Sequence, residues 1–236
     1  PLGQGYEFSK GYYARVEDGR LYGRLFRLFY VPLVRALLDA HPEAFLRYLD
    51  SFRYALAGEF AATAATARRI RMPRRWGLEV GTLGDAFDVA GAAGTAQVDL
   101  GRYEHDHRRV EGSGGLSAMS QSVGETLLRS VVEHGVDVDF DTLAERYRTA
   151  AGDLLHQYEL DAGFNGLSFD PANERDQVAQ YAEAVVEPTG PDDRLPTWAT
   201  APLEPDAVAD AAAADVESAI DAPAPSTAAP LTEAGE

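Results

Sequence analysis

The chain has no cysteine among its 236 residues, which excludes disulfides, thiolate nucleophiles and cysteine-held zinc. Any metal would have to be held by His, Asp or Glu. Lysine is almost as scarce: Lys10 is the only one, and the remaining Lys+Arg total is arginine. No apolar run approaches the ~18 residues of a membrane-spanning helix, and the first residues lack the pattern of a secretory signal. A cytoplasmic protein with no membrane span is expected. Basic residues are also missing from the second half. Residues 1–110 hold 16 Lys+Arg against 13 Asp+Glu, a net of +3, whereas residues 111–236 hold 5 against 25, a net of −20. Such an acidic half repels a phosphate backbone and argues against nucleic acid as a partner. Acid excess with arginine in place of lysine suits solubility in strong salt, where ions screen self-repulsion, and points to a halophile.

Apolar residues, 45% of the chain, suffice for one good-sized core. Leu25, Leu28, Phe29, Leu33, Ala36 and Leu37 recur at helical steps, with Pro32 expected to bend that helix or sit in its first turn. Phe45 to Tyr54 reads as strand or as helix. Gly58 to Arg69 is Ala-rich and predicts a helix, ended by Arg71-Met72-Pro73. Val80, Leu83, Phe87 and Ala90 mark a further helix stopped at Gly91, and Thr95 to Leu100 alternates like a half-buried strand. After Gly112-Ser113-Gly114-Gly115 the pattern is helical. Met119 to Val131 and Phe140 to Tyr158 form two helices, and Asp170-Pro171, an N-cap followed by proline, opens a third. Eight of the 13 prolines fall in residues 188–236, where Arg194 is the only basic residue. That stretch is expected to be a disordered acidic tail, with at most a weak helix near Ala207 to Ile220. The expected division is therefore 1–187 and 188–236. Because the chain opens on Pro1, it is read as the later part of something longer.

Chemistry-bearing residues cluster between Gly23 and Arg109. His105 and His107 follow the predicted strand and point to one side of an extended backbone, able to share a metal, with Asp99, Glu104 and Asp106 close in sequence. An isolated His-x-His is more often a surface or capping feature, but ligand sites gather at strand ends in α/β proteins. Glu79 lies in the first turn of its helix, where the dipole favours a carboxylate without any function. Its functional reading is to hold substrate hydroxyls or stabilise positive charge developing on a sugar ring. Glu59 carries the same two readings. Arg68, Arg69, Arg71, Arg74 and Arg75 suit the grip of phosphate or carboxylate, or equally a solvated helix end paired with the acidic half. The Gly23-Arg24 step offers backbone N–H groups to an oxyanion at a helix start.

Five blocks stand in order. They are Gly23-Arg24-Leu25 ahead of Pro32-Leu33, Gly58-Glu59-Phe60-Ala61-Ala62-Thr63, Trp76-Gly77-Leu78-Glu79-Val80-Gly81, Gln97-Val98-Asp99-Leu100-Gly101 through His105, and Ala118-Met119-Ser120. Together they resemble the glucosyl-3-phosphoglycerate synthase family, retaining glycosyltransferases of the GT-A fold related to mannosyl-3-phosphoglycerate synthases. The resemblance implies an α/β chain forming the acceptor-side half of a GT-A (nucleotide-diphospho-sugar transferase) fold, with a helical C-terminal extension. It implies a nucleotide sugar, an anionic acceptor, transfer of glucose to 3-phosphoglycerate, and a divalent metal, Mg2+ or Mn2+. A homodimer is allowed. His105 matches the metal ligand and Glu79 an active-site glutamate near the donor sugar. Gly23, Arg24 and Leu25 match the acceptor loop, Met119 lines that pocket, Arg108 matches an arginine after the histidine, and Arg74 and Arg75 are placed on the acceptor side. Phe26 stands where the family has threonine and His107 where it has asparagine, and both changes fall on acceptor recognition. The family's Asp-x-Asp region would lie before Pro1, so half an active site, inactive alone, is expected. Two alternatives stay open: another donor or acceptor, and a non-catalytic acidic interaction module with a vestigial site.

Overall fold

In the computed structural model, residues 1–102 and 113–221 are described, and they fall into two units, Pro1–Ala199 and Thr200–Glu236. The first unit opens with β1 (Phe8–Ala14), β2 (Val16–Glu17) and β3 (Arg20–Leu21), then a π-helical segment (Leu25–Tyr30) that runs into α1 (Val31–Leu38). Next come α2 (Ala44–Asp50), β4 (Phe60–Ala62), α3 (Ala64–Ala67), α4 (Leu78–Ala90) and β5 (Thr95–Arg102). Three helices close it: α5 (Ser113–Glu133), α6 (Phe140–Phe164) and α7 (Pro171–Ala182). The second unit holds α8 (Pro205–Asp221).

The fold is mixed α/β around a small sheet in the order β4-β1-β5. β1 runs antiparallel to β4, with Phe8 opposite Ala62, and parallel to β5, with Phe8 opposite Thr95. Because β1 lies in the middle and is buried along most of its length, it shows none of the apolar–polar alternation that marks β5. The Ala-rich stretch expected to be a helix from Gly58 to Arg69 is corrected. Phe60–Ala62 is strand and only Ala64–Ala67 is helical, capped by Thr63 Oγ1 accepting from Thr66 N–H at 3.2 Å. Pairing with the edge of β1 overrides a modest local helix preference. Phe45 to Tyr54, open between strand and helix, begins as helix.

Pro32 shapes the entry to α1. It has no N–H to bond the Leu28 carbonyl four residues back, and its ring crowds that carbonyl. The helix widens there, with Val31 N–H reaching back to Phe26 O. Tyr147 of α6, fully buried, donates its hydroxyl to Leu28 O at 2.7 Å. Around this contact Leu28, Phe29, Leu33 and Leu37 pack with Phe45, Leu49, Leu127 and Tyr181 into the main core. α7 begins as expected: Asp170 Oδ1 accepts from Asn173 N–H at 3.1 Å.

Beyond Glu187 the chain bonds back to the elements before it. Arg194 hydrogen bonds Asp192 and Glu133, Arg129 Nη2 donates to Gly190 O at 2.7 Å, and Leu195 N–H pairs with Met72 O at 2.9 Å. The hydrogen bond from Arg194 is the main force lowering the Asp192 carboxyl to about 2. A segment poor in apolar residues is thus tied down by its single arginine. Pro205–Asp221 is a helix, at the place where a weak one was expected. Among the described residues no helix is long and apolar enough to cross a membrane.

Candidate functional site

The parallel register sets Ala14 beside Arg102, so β1 and β5 finish on the same edge of the sheet. Side chains capable of chemistry gather along β1 as it approaches that edge. Lys10 is 2% exposed, and its ammonium donates to Ala57 O. Burial lowers its pKa to about 8, opposed by the negative charges of Glu79 and Glu59. Lys10 therefore sits in the field of both carboxylates. The neighbouring Gly11 N–H donates to Glu59 O at 2.8 Å, and a methyl at Gly11 would meet Leu100 Cδ1 at 2.7 Å. Glu59 is held against the strand, with Oε2 buried and unpartnered.

Tyr13 continues the row. Burial first, then the charge of Glu59, raises its pKa far above the ordinary tyrosine range, so it stays a neutral phenol. Its ring meets Tyr54 edge-on at 5.1 Å, and Tyr54 meets Phe26 at 5.0 Å. Gly23 lies beneath Tyr54 with φ +77, a conformation that side chains disfavour, and a methyl there would come within 3.2 Å of the Tyr54 hydroxyl. Lys10, Glu59, Tyr13, Tyr54 and Gly23 thus follow one another along one side of the site, and Glu79 acts on the row through its charge at Lys10.

Glu79 is placed by close helix packing. Gly77, φ +110, caps α4 just before it, and a methyl there would meet Thr126 Oγ1 at 2.7 Å and Thr126 Cβ at 2.9 Å. Gly81 and Gly84 also face α5, where a methyl would meet Thr126 Cγ2 at 3.3 Å and Ser130 Oγ at 2.2 Å respectively. This small-residue face lets α4 lie against α5 and fixes the turn that carries Glu79.

The other expected residues are distributed more widely. Arg74, Arg75 and Trp76 line an open cavity of about 720 Å3 with Ala118 and Gln121 of α5, and Arg75 Nε lies 3.0 Å from Asp193. Arg71 serves structure, gripping the buried Asp85 through Nη2 at 2.6 Å and its own N–H. Met119 is half-buried on α5, next to the cavity-lining Ala118. Leu25 and Phe26 pack partly buried against the core. The Arg24 side chain lines a separate cavity with Arg27 and Glu174. His105, His107 and Arg108 lie outside the described residues. Among the described residues no group of three or more His, Asp or Glu could hold a metal ion. Sequence reasoning passed over Lys10, Tyr13 and Tyr54. The available signal was a solitary lysine in a chain that otherwise uses arginine.

In α/β proteins ligands gather outside the C-terminal ends of parallel strands, and the carboxylate-lined row approaches that end of β1 and β5. No family model matches the chain. It is 37% identical over 216 residues to the glucosyl-3-phosphoglycerate synthase of Methanococcoides burtonii, covering 82% of this chain and 52% of that protein. It is 39% identical over 187 residues to the enzyme of that name from Persephonella marina, covering 76% and 46%. A crystal structure of glucosyl-3-phosphoglycerate synthase from Mycobacterium tuberculosis with Mn2+, uridine-diphosphate-glucose and phosphoglyceric acid matches at 31% identity. That match spans 58% of this chain and 41% of that one, with a TM-score of 0.43. Over the stretch it shares, the chain belongs with the glucosyl-3-phosphoglycerate synthase family. It spans about half the length of the curated relatives it matches.

Proposed function

We propose that this chain forms the acceptor-side half of a GT-A glycosyltransferase that moves glucose, with retention, from a nucleotide sugar to 3-phosphoglycerate. The observation that carries the reading is the series from Glu79 through Lys10 and Glu59 to Gly23, in a chain 37% and 39% identical to glucosyl-3-phosphoglycerate synthases. Glu79 faces the donor sugar, where a carboxylate stabilises the positive charge that develops as the glycosidic bond breaks. Lys10 keeps the charges of Glu79 and Glu59 from repelling one another across the strand. The Gly23 turn offers backbone N–H groups to the acceptor's anionic end, and Arg74 and Arg75 add positive charge on the cavity beside α4.

His105 would be this chain's ligand to a divalent cation, with the other ligands drawn from the part of the relatives that this chain does not cover. Such a cation, when bound, neutralises the departing diphosphate. The acidic, lysine-poor composition suits a product that serves as a compatible solute in a salt-stressed cell.

A second reading, transfer to a different acceptor, is supported by Phe26. Its ring is occupied by stacking on Tyr30 at 5.5 Å and by an edge-on contact with Tyr54, and it supplies no hydroxyl to the acceptor loop. The test uses this chain joined to the region of its relatives that it lacks, with UDP-glucose and 3-phosphoglycerate or glycerol 3-phosphate. Glu79→Gln is expected to lower kcat by about 10²–10³ with little change in acceptor KM. Unaltered turnover in that variant removes Glu79 from the mechanism, and turnover by the present chain alone overturns the half-site reading.

A further inference from the structure

Residues 68–77 join α3 to α4 without a helix or strand of their own, and the last of them, Gly77, caps the turn that carries Glu79. What holds this connector therefore sets where Glu79 begins. One side of it rests on α4: Arg71 grips Asp85, and a methyl at Gly81 would come within 2.7 Å of Pro73 Cγ. Its other side is met by residues 190–199, which run antiparallel along it. Ala199 N–H donates to Arg68 O at 3.2 Å, Leu195 N–H to Met72 O at 2.9 Å, and Asp193 lies 3.0 Å from Arg75 Nε.

Polar bonds hold this later segment, because its large apolar side chains, Leu195 and Trp198, are exposed. Arg194 supplies the strongest of them. Its side chain is 5% exposed, Nε donates to Asp192 Oδ1 at 2.8 Å, and Nη2 donates to Asp192 Oδ2 and to Glu133 at the end of α5. Glu133 and Asp192 also lie 3.5 and 3.8 Å from the Arg71 guanidinium. Three carboxylates, Asp85, Glu133 and Asp192, thus share two arginines. Without Arg194 all three would crowd round Arg71, and repulsion between them would drive the segment off the connector.

We propose that Arg194 is a positioning residue for Glu79: by fastening residues 190–199 over the connector, it holds Pro73 against Gly81 and sets the first turn of α4. The role rests on the reading of Glu79 as the carboxylate that faces the donor sugar. Arg194 acts on that carboxylate through backbone, along the path from Leu195 to Met72, Pro73 and Gly81. A displacement of about 1 Å in a group poised against its substrate costs up to about 10²-fold in rate, so a fastening remote from the chemistry is felt there.

The first test is amide hydrogen exchange on the chain itself. In Arg194→Gln the Gly81 N–H, which donates to Gly77 O at 2.9 Å, is expected to exchange about tenfold faster while α6 and α7 keep their wild-type rates. Arg194→Lys, which keeps the charge, should restore protection towards the wild type. Leu195→Pro keeps Arg194 but deletes the N–H bonded to Met72 O, and should give the same local change if Arg194→Gln does not fold. An unchanged Gly81 amide, or a uniform rise through all the helices, overturns the positioning role. The second test measures turnover in the chain joined to the region its relatives supply, where Arg194→Gln should lower kcat about tenfold with both KM values unchanged. Unaltered kcat in Arg194→Gln beside a lowered kcat in Glu79→Gln also overturns the role. Unaltered kcat in both variants strikes the catalytic reading of Glu79, and the positioning role falls with it.

Discussion

Lys10→Met tests the charged row along β1 through the pH dependence of stability. The native pKa of Lys10 is about 8, against 10.5 for an unburied lysine, with burial the main cause. The folded chain therefore releases this proton first, and between those values the unfolded chain binds more protons. Stability should rise with pH across that window. At about 1.4 kcal/mol per pH unit, and allowing for curvature near the lower end, the gain between pH 8 and 10 is about 2 kcal/mol. From about pH 9.5 upward buried tyrosines such as Tyr30 and Tyr147, whose pKa values burial raises, oppose this trend equally in wild type and variant as their unfolded counterparts ionise. The assay is urea unfolding followed by far-UV circular dichroism at half-unit steps from pH 7 to 10, on the wild type and on Lys10→Met. The variant leaves Ala57 O without its donor, so its absolute stability is not the readout; the slope is. Because the raised tyrosines offset the rise in both proteins, the readout is the difference in slope, and a variant with the same slope as the wild type would refute a buried ammonium flanked by two carboxylates.

Two further outcomes follow from packing. Tyr147→Phe deletes the hydroxyl that Leu28 O receives beside Pro32, and should lower unfolding free energy by about 1–3 kcal/mol with the urea m-value unchanged. Gly77→Ala places a methyl at positive φ and within 3 Å of Thr126, and should cost about 2–5 kcal/mol in the same measurement. A near-neutral result would mean that α4 and α5 are further apart than described.

The legibility of this chain varied with how locally each element is determined. α4, β5 and α7 carry their own signals in Val80 to Ala90, in the alternation from Thr95, and in Asp170-Pro171, so pattern alone located them. β1 was missed because both its faces are buried and it holds Lys10, which the Ala57 carbonyl and the carboxylates of Glu59 and Glu79 make tolerable. Phe60–Ala62 looked helical because alanine prefers helix, and the partner strand that overrules it lies some fifty residues earlier. Residues 188–199 read as tail because they are poor in apolar residues, and the ion pairs of Arg194 with Asp192 and Glu133 are a signal that apolar content does not carry. At the candidate site Glu79 and Gly23 were legible from helix position and turn chemistry. Lys10, Tyr13 and Tyr54 matter through contacts that no spacing rule encodes.

The burial of Lys10 leaves the folded chain with no lysine amine at its surface. Acylating and aldehyde reagents would find little to react with beyond the chain's own N-terminus. An adduct on Lys10 would accordingly report the opening of the sheet, which makes the solitary side chain a built-in chemical clock for its unfolding.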